Sequence, residues 1–353
     1  MNGLRQRLEK AGRRLLVAVL AVLFGKRARP VALPPAPRIL VVRLDERLGN
    51  LILLTPLLAS LRARFPRATI DLLAQERNRS LLAGHPALSE LIGFDKRTLL
   101  ARRGPLRTPF RLRRRHYDLA LDAANPTDPS ATQAIITLLT GATHTVGFAS
   151  GPFGGLFSAP VSVEGCGPHE IDMRLGLLSV LPGMERLRTV CLGPLGSVDP
   201  GGLVGRWLKE HGEAPYVVIN VGARLLEKRL DVDVYAALAR MACESKQRVC
   251  ITYGPAERDL ALALATRETR ALLAPPTDLL ELAAVMRGAC AVLTCDTGPM
   301  HLAVALGVPT CGIFVSTAPE RYGHKELPHT VVDARTLPAS QWLPSVALWL
   351  ARA

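Results

Sequence analysis

Ala291-Val292-Leu293-Thr294-Cys295, Asp296-Thr297-Gly298-Pro299-Met300-His301, Leu302-Ala303-Val304-Ala305-Leu306, Gly307-Val308-Pro309 and Thr310-Cys311-Gly312-Ile313-Phe314-Val315 follow one another without a break. The first run reads as a strand, Ala291–Cys295, and the apolar stretch from Met300 to Leu306 as a helix. Thr310–Val315 reads as the next strand. Strand, helix, strand implies a right-handed crossover and a parallel sheet, hence an α/β fold. The junction between the first strand and the helix packs a carboxylate, a hydroxyl, an unhindered glycine and an imidazole into six residues. At the mouth of a parallel sheet, the free N–H groups and positive dipole of such a helix attract phosphate, while Gly298 lets a ligand approach the main chain. His301 falls about one turn into the helix, on the side that can face the same ligand. Taken singly, Thr297 could be a cap, Pro299 a first-turn proline and His301 a surface histidine; the combination at a strand-to-helix junction favours a site.

Outward from this stretch the same alternation recurs. Tyr216–Val221 and Arg248–Tyr253 read as strands, with helices over Val232–Glu244, Glu257–Thr266 and Leu279–Arg287. In the first half, Ile39–Val42, Thr69–Leu73, Leu91–Phe94 and Leu119–Leu121 read as strands and Leu51–Phe65 as a helix. The Gly/Pro-rich stretch 149–168 reads as a long loop, His169–Leu181 as helix and Pro182–Gly202 as an interdomain connection. A chain of 353 residues with 48% hydrophobic content can bury two cores. Four segments follow: a basic and apolar N-terminal segment with its linker over 1–37, a first α/β domain over 38–181, a connection over 182–202 and a second α/β domain over 203–353.

The net charge of +14 favours a polyanionic partner, for which nucleic acid, anionic lipid and nucleotide sugar all qualify. Nucleic acid fits the 5% aromatic content poorly, since few stacking platforms remain, so no nucleic-acid partner is expected. The 7 cysteines form no C-x-x-C pair and suit reduced thiols in a cytoplasmic compartment. Arg5, Arg7, Lys10, Arg13 and Arg14 precede the apolar run Leu15–Phe24, and Lys26, Arg27 and Arg29 follow it. A spanning helix needs about 20 apolar residues, so this run predicts a helix lying on an anionic membrane surface, peripheral to it. A second basic tract runs from Lys96 and Arg97 through Arg102, Arg103, Arg107 and Arg111 to Arg113, Arg114 and Arg115, with Leu99, Leu106 and Phe110 among its apolar members. It suits a phosphorylated, lipid-linked acceptor at a membrane.

Arg38 onward resembles glycosyltransferase family 9, the lipopolysaccharide heptosyltransferases, whose nucleotide-binding half carries D-[ST]-G-x-x-H-[LI] where this chain has Asp296-Thr297-Gly298-Pro299-Met300-His301-Leu302. The likeness extends through Leu48-Gly49-Asn50, Phe65-Pro66-Arg67-Ala68, Tyr117-Asp118-Leu119, Val146-Gly147-Phe148, His169-Glu170 and Asn220-Val221-Gly222-Ala223-Arg224. It implies two Rossmann-like doubly wound domains facing a cleft, the GT-B arrangement. It also implies an inverting transfer, without metal or other cofactor, of a heptose or related sugar from a nucleoside diphosphate, ADP foremost. The acceptor would be a lipopolysaccharide-core-like glycolipid at the cytoplasmic face of the inner membrane. Lys228 stands where the family has the lysine of its K-[RH]-W element, with Leu230 for the tryptophan and Asp231 for the proline. A point charge there would neutralise the departing diphosphate, which Thr297, Gly298 and the following helix N-terminus would also hold. Glu257 matches the glutamate that contacts the nucleoside, its bland alternative being an exposed first-turn residue. Arg224 is a second phosphate contact ranked below Lys228, Asp296 an anchor for the donor sugar or its loop, and His301 a donor contact.

The acceptor side departs from the family. After Gly49 the family has an aspartate that takes the acceptor's proton; this chain has Asn50, and an amide is no general base. Asp45 and Glu46 lie close by in the same loop, which is one residue longer than the common pattern. Three readings stay open: Asp45 or Glu46 has taken over as base, Asn50 only orients the acceptor, or the protein is a non-catalytic, membrane-associated sugar-nucleotide or glycolipid binder. Paired with Arg43 and Arg47, the two carboxylates would amount to no more than a solvated turn.

Overall fold

A computed structural model describes residues 30–95 and 108–352. The proposed membrane-surface run Leu15–Phe24 and the basic residues Lys96 to Arg107 therefore lie outside the described residues. The described residues fall into two compact units: one takes in residues 30–46 together with those described between Leu54 and Thr189, the other Arg47–Leu53 together with residues 190–352.

Each unit is built on a six-stranded parallel sheet, and the two sheets have the same topology. In the first, β1 (Arg38–Arg43), β2 (Thr69–Gln75), β3 (Glu90–Phe94), β4 (Leu119–Asp122), β5 (His144–Phe148) and β6 (Ala159–Val161) lie in the order β3-β2-β1-β4-β5-β6. In the second, β7 (Tyr216–Asn220), β8 (Arg248–Thr252), β9 (Leu272–Leu273), β10 (Ala289–Cys295), β11 (Thr310–Phe314) and β12 (Thr330–Asp333) lie in the order β9-β8-β7-β10-β11-β12. Both are the doubly wound 3-2-1-4-5-6 arrangement, in which the strand order reverses between the first and fourth strands and opens a ligand site beyond their carboxyl ends. The central strands are apolar on both faces because helices cover both. In β7, Val217, Val218 and Ile219 are all fully buried, and Ile39 to Val42 of β1 likewise.

The helices follow local signals. Leu279–Arg287 opens with a reciprocal capping box, Asp278 Oδ1 accepting from the Glu281 N–H and Glu281 Oε2 from the Asp278 N–H, each at 2.8 Å. Val232–Glu244 and Leu279–Arg287 form over the residues read from the sequence. Three readings need correction. The helix expected over Leu51–Phe65 is two helices, Leu48–Ile52 and Thr55–Arg64. Pro56 explains the break, since it has no N–H to donate and its ring would strike the Ile52 carbonyl of a continuous helix. The stretch 149–168 is not all loop: Ala159–Val161 pairs in parallel with β5. This is an edge strand, the one place where Pro160 is tolerated. Finally, His169–Leu181 is α-helical only over Glu170–Gly176 and then tightens into a 3-10 turn, Leu177–Val180. Helices over Ala131–Leu139 and Leu203–His211 and the strands β5, β9 and β12 went unread.

Candidate functional site

In the second unit β7 ends at Asn220 and β10 at Cys295, side by side at the reversal of strand order. The residues that follow these two strands are therefore the ones the topology places where ligands bind. Asp296 leaves β10 buried, and its Oδ2 accepts from Lys228 Nζ at 2.6 Å and from Thr317 Oγ1 at 2.6 Å. Lys228 comes from the 3-10 turn Leu226–Lys228 beyond β7, and Thr317 from the segment beyond β11, so three strand ends converge on one carboxylate. Lys228 Nζ also reaches the Asp296 carbonyl at 3.3 Å and lies 5.8 Å from the ring centroid of Tyr322. An ammonium has three N–H groups, so these two oxygens leave one for a ligand oxygen.

Helix Gly298–Ala305 starts immediately after this carboxylate. Thr297 occupies the cap position with extended backbone, φ −143° and ψ 170°, yet its side chain does not cap. Its Oγ1 lies 3.3 Å from the Cys295 carbonyl and 3.4 Å from Thr294 Oγ1. The Met300 N–H goes to the Thr297 carbonyl and Pro299 has none, so Gly298 is left to offer its N–H at the helix start. A Cβ on Gly298 would come within 3.1 Å of Leu48 Cβ, so the close approach that requires a glycine is that of the helix Leu48–Ile52, which belongs to this unit. Gly49 is in the same position against His301: a Cβ there would lie 2.5 Å from His301 Cδ2. His301 is buried, with Nε2 4.0 Å from Asp296 Oδ1 and Nδ1 2.9 Å from His324 Nε2.

Glu257 closes the 3-10 turn Pro255–Glu257 and is buried, not an exposed first-turn residue. The Arg229 guanidinium holds its Oε1 and also donates through Nε to the Ala223 carbonyl at 2.8 Å. Arg224 is exposed on the loop after β7. Leu230, in place of the family's tryptophan, belongs to the core of this unit, and Asp231 stands at the N-cap of Val232–Glu244. Arg229, Thr317 and His324 were not singled out from the sequence. The signal for Thr317 was its place just beyond a strand end, the same rule that exposes Asp296.

The acceptor-side candidates sit in different local settings. Asp45 accepts from Arg43 Nη2 at 3.2 Å, as the solvated-turn reading has it, but Glu46 is exposed and pairs with Arg77 at 3.2 Å rather than with Arg47. Asn50 is buried and helical: the helix begins at Leu48, not near Leu51. At the strand ends of the first unit lies a network of buried polar side chains. Gln133 Nε2 donates to the Val42 carbonyl at 2.8 Å and to Asp122 Oδ1 at 2.6 Å, tying β1 to β4. The buried Arg174 pairs with the buried Glu170 at 2.7 Å and donates to the Ala124 carbonyl at 2.8 Å. Burial outweighs the hydrogen bonds from Ala124 and Gln133 and the charges of Arg43 and Arg174, and pushes the Asp122 carboxyl up to about 6.

The comparisons with known proteins point the same way. A family model for glycosyltransferase family 9 (heptosyltransferase) matches residues 199–340, the part that carries the second sheet. The chain is 28% identical to lipopolysaccharide heptosyltransferase 1 of Pseudomonas aeruginosa over 305 residues, 80% of this chain and 79% of that one. It is 25% identical to lipopolysaccharide heptosyltransferase 3 of Escherichia coli over 284 residues, 76% of this chain and 80% of the relative. The fold matches that of a family 9 glycosyltransferase from Veillonella parvula with a TM-score of 0.75 at 19% identity, covering 93% of this chain and 100% of the other. It also matches an E. coli heptosyltransferase solved with ADP, with a TM-score of 0.69 at 19% identity, covering 88% and 99%. The α/β class read from the sequence, two Rossmann-like sheets of the GT-B type, is what the two sheets and these matches show.

Proposed function

We propose that the chain is a member of glycosyltransferase family 9, the heptosyltransferases, and that it transfers a heptose or related sugar from an ADP-sugar to a lipopolysaccharide-core-like glycolipid with inversion at the anomeric carbon. The observation that carries the reading is the convergence of Lys228 and Thr317 on Asp296 at the strand-order reversal of the second sheet, beside the start of helix Gly298–Ala305. In this reading the acceptor hydroxyl oxygen forms a bond to the anomeric carbon as the bond to the diphosphate oxygen breaks. The electron pair leaves with ADP, and the hydroxyl proton passes to a base. Lys228 and the Gly298 N–H meet the charge that grows on the diphosphate, work that needs fixed donors already aimed at it and no metal. Arg224, exposed on its loop, supplies a second contact to phosphate. Glu257, held by Arg229, receives ribose hydroxyls, and Asp296 and His301 address the sugar or the loop around it. The chain works peripherally at the cytoplasmic face of the membrane, where its acceptor is anchored.

Either Asp45 or Glu46 is the base, or Asn50 only orients the acceptor. Transfer from ADP-heptose to a core glycolipid, followed by product mass, tests this. Loss of a general base costs ~10²–10⁴ in rate, so Asp45→Asn or Glu46→Gln should lower turnover at least ~10²-fold with ADP affinity unchanged, and Asn50→Ala should do less damage. Turnover that survives both carboxylate changes refutes the relocated base. Asn50 also favours a second reading, a binder that no longer transfers sugar: it gains if the natural chain is inert with every donor while Asn50→Asp is active.

A further inference from the structure

We propose that Thr317 is a positioning residue: by donating its hydroxyl proton to Asp296 it fixes the turn of that carboxylate, and the fixed carboxylate aims the third N–H of Lys228 at the diphosphate of the donor. The final clause rests on the reading of Lys228 as a diphosphate contact; the rest stands on geometry.

An aspartate carboxylate hangs on an sp³–sp² torsion with a broad preference, so the residue itself does not decide which way its plane faces. Two donors decide it here. Thr317 Oγ1 and Lys228 Nζ both reach Asp296 Oδ2 at 2.6 Å, and Oδ1 is left on the side of His301, 4.0 Å from its Nε2. The two donors differ in stiffness. Lys228 carries its charge on a flexible four-carbon stem, and no residue of its 3-10 turn, Leu226–Lys228, is buried. Thr317 is β-branched and stiff at χ1. It lies three residues beyond β11, while Asp296 directly follows β10, and these strands pair in parallel with Cys295 opposite Ile313. The register of the sheet therefore holds Thr317 against Asp296, and the carboxylate in turn holds Lys228.

The direction of the ammonium follows. Two of its three N–H groups go to acceptors on one residue, Asp296 Oδ2 at 2.6 Å and the Asp296 carbonyl at 3.3 Å. With two N–H directions taken, tetrahedral geometry leaves the third a single direction. The carbonyl belongs to the main chain at the end of β10, but Oδ2 moves with the carboxylate, so a carboxylate free to turn would swing the third N–H with it. Asp296 is only 5% exposed, and solvent does not easily replace the Thr317 bond. Thr317 thus acts on the departing charge through Asp296 and Lys228, preorganising a donor rather than supplying one.

Proton–nitrogen correlation spectra of the full chain labelled with nitrogen-15 lysine test the geometric half. An ammonium held by two oxygens keeps its protons long enough to be seen, and Lys228 is assigned from the signal lost in Lys228→Met. Thr317→Val keeps the β-branch and removes the hydroxyl. It should lose the Lys228 signal to exchange and bind ADP about three- to tenfold more weakly, the loss of one hydrogen bond, with adenosine affinity unchanged because adenosine carries no phosphate. Thr317→Ser, which keeps the hydroxyl, should restore both the signal and ADP affinity. A natural chain without a Lys228 signal overturns the proposal, as does a signal that Thr317→Val leaves unchanged. Equal losses for ADP and adenosine, or a Thr317→Ser chain that restores neither property, overturn it too, since they mark a general loosening of the segment. If the natural chain binds no ADP, the diphosphate clause fails while the Lys228 signal in the natural chain and the two variants still decides the positioning.

Discussion

The two sheets share one strand order but use their carboxyl-terminal edges in opposite ways. In the first unit the groups at the reversal point bind mostly to the fold itself: Arg43 to the Ala123 carbonyl, Gln133 to both Val42 and Asp122, Arg174 to Glu170 and Ala124. In the second, Asp296 gathers Lys228 and Thr317 at the start of a helix, and Lys228 remains about a fifth exposed. Topology therefore fixes where a site can be; whether the polar groups there face inward or outward decides whether it serves the fold or a ligand.

The sharpest way to break this comparison is to remove a member of the inward network. Arg174→Met leaves Glu170 buried without its cation, and should cost about 3–5 kcal/mol of stability while leaving the nucleotide affinity of whatever chain stays folded unchanged. Denaturant melts with parallel binding measurements check it; a small stability loss would mean that the edge of the first sheet is solvated after all.

Asp122 sharpens the same comparison with a smaller effect of opposite sign. Its carboxyl is raised on folding from about 4 in the unfolded chain to about 6. The folded state therefore binds this proton more tightly. The stabilising contribution is complete below about pH 4 and is lost as pH rises through about 6. Asp122→Asn, which keeps an oxygen for the Ala124 and Gln133 donors, should raise stability at pH 7.5 by about 1–3 kcal/mol and remove this site's share of the slope. Urea melts at pH 4.5 and 7.5 decide it, and an equal slope in both chains would contradict the buried, ionised carboxylate.

These contrasts were only partly legible in the sequence. β1, β7 and β10 were read because buried parallel strands are unbroken apolar runs, and Leu279–Arg287 because its capping box is local. Pro160 disguised an edge strand as loop, and β9, two residues long, carries no pattern. Within the site, Asp296, Lys228 and His301 stood out by motif, but their holders did not. Lys228 and Thr317 reach Asp296 across 68 and 21 residues, and His324 reaches His301 across 23. Such pairings are products of the sheet topology and leave no mark on neighbouring residues. Asn50 was read in a loop and is helical, because the break at Pro56 allows a separate first turn from Leu48.

Calorimetric titration of ADP into the full chain, in the presence of a chelator, tests most directly that the outward-facing edge of the second sheet is the donor site. ADP should bind without metal, at least about tenfold more weakly in Lys228→Met, the loss of a charge-assisted contact, and with unchanged affinity in Asp122→Asn. No binding, or binding that Lys228→Met leaves intact, would contradict it.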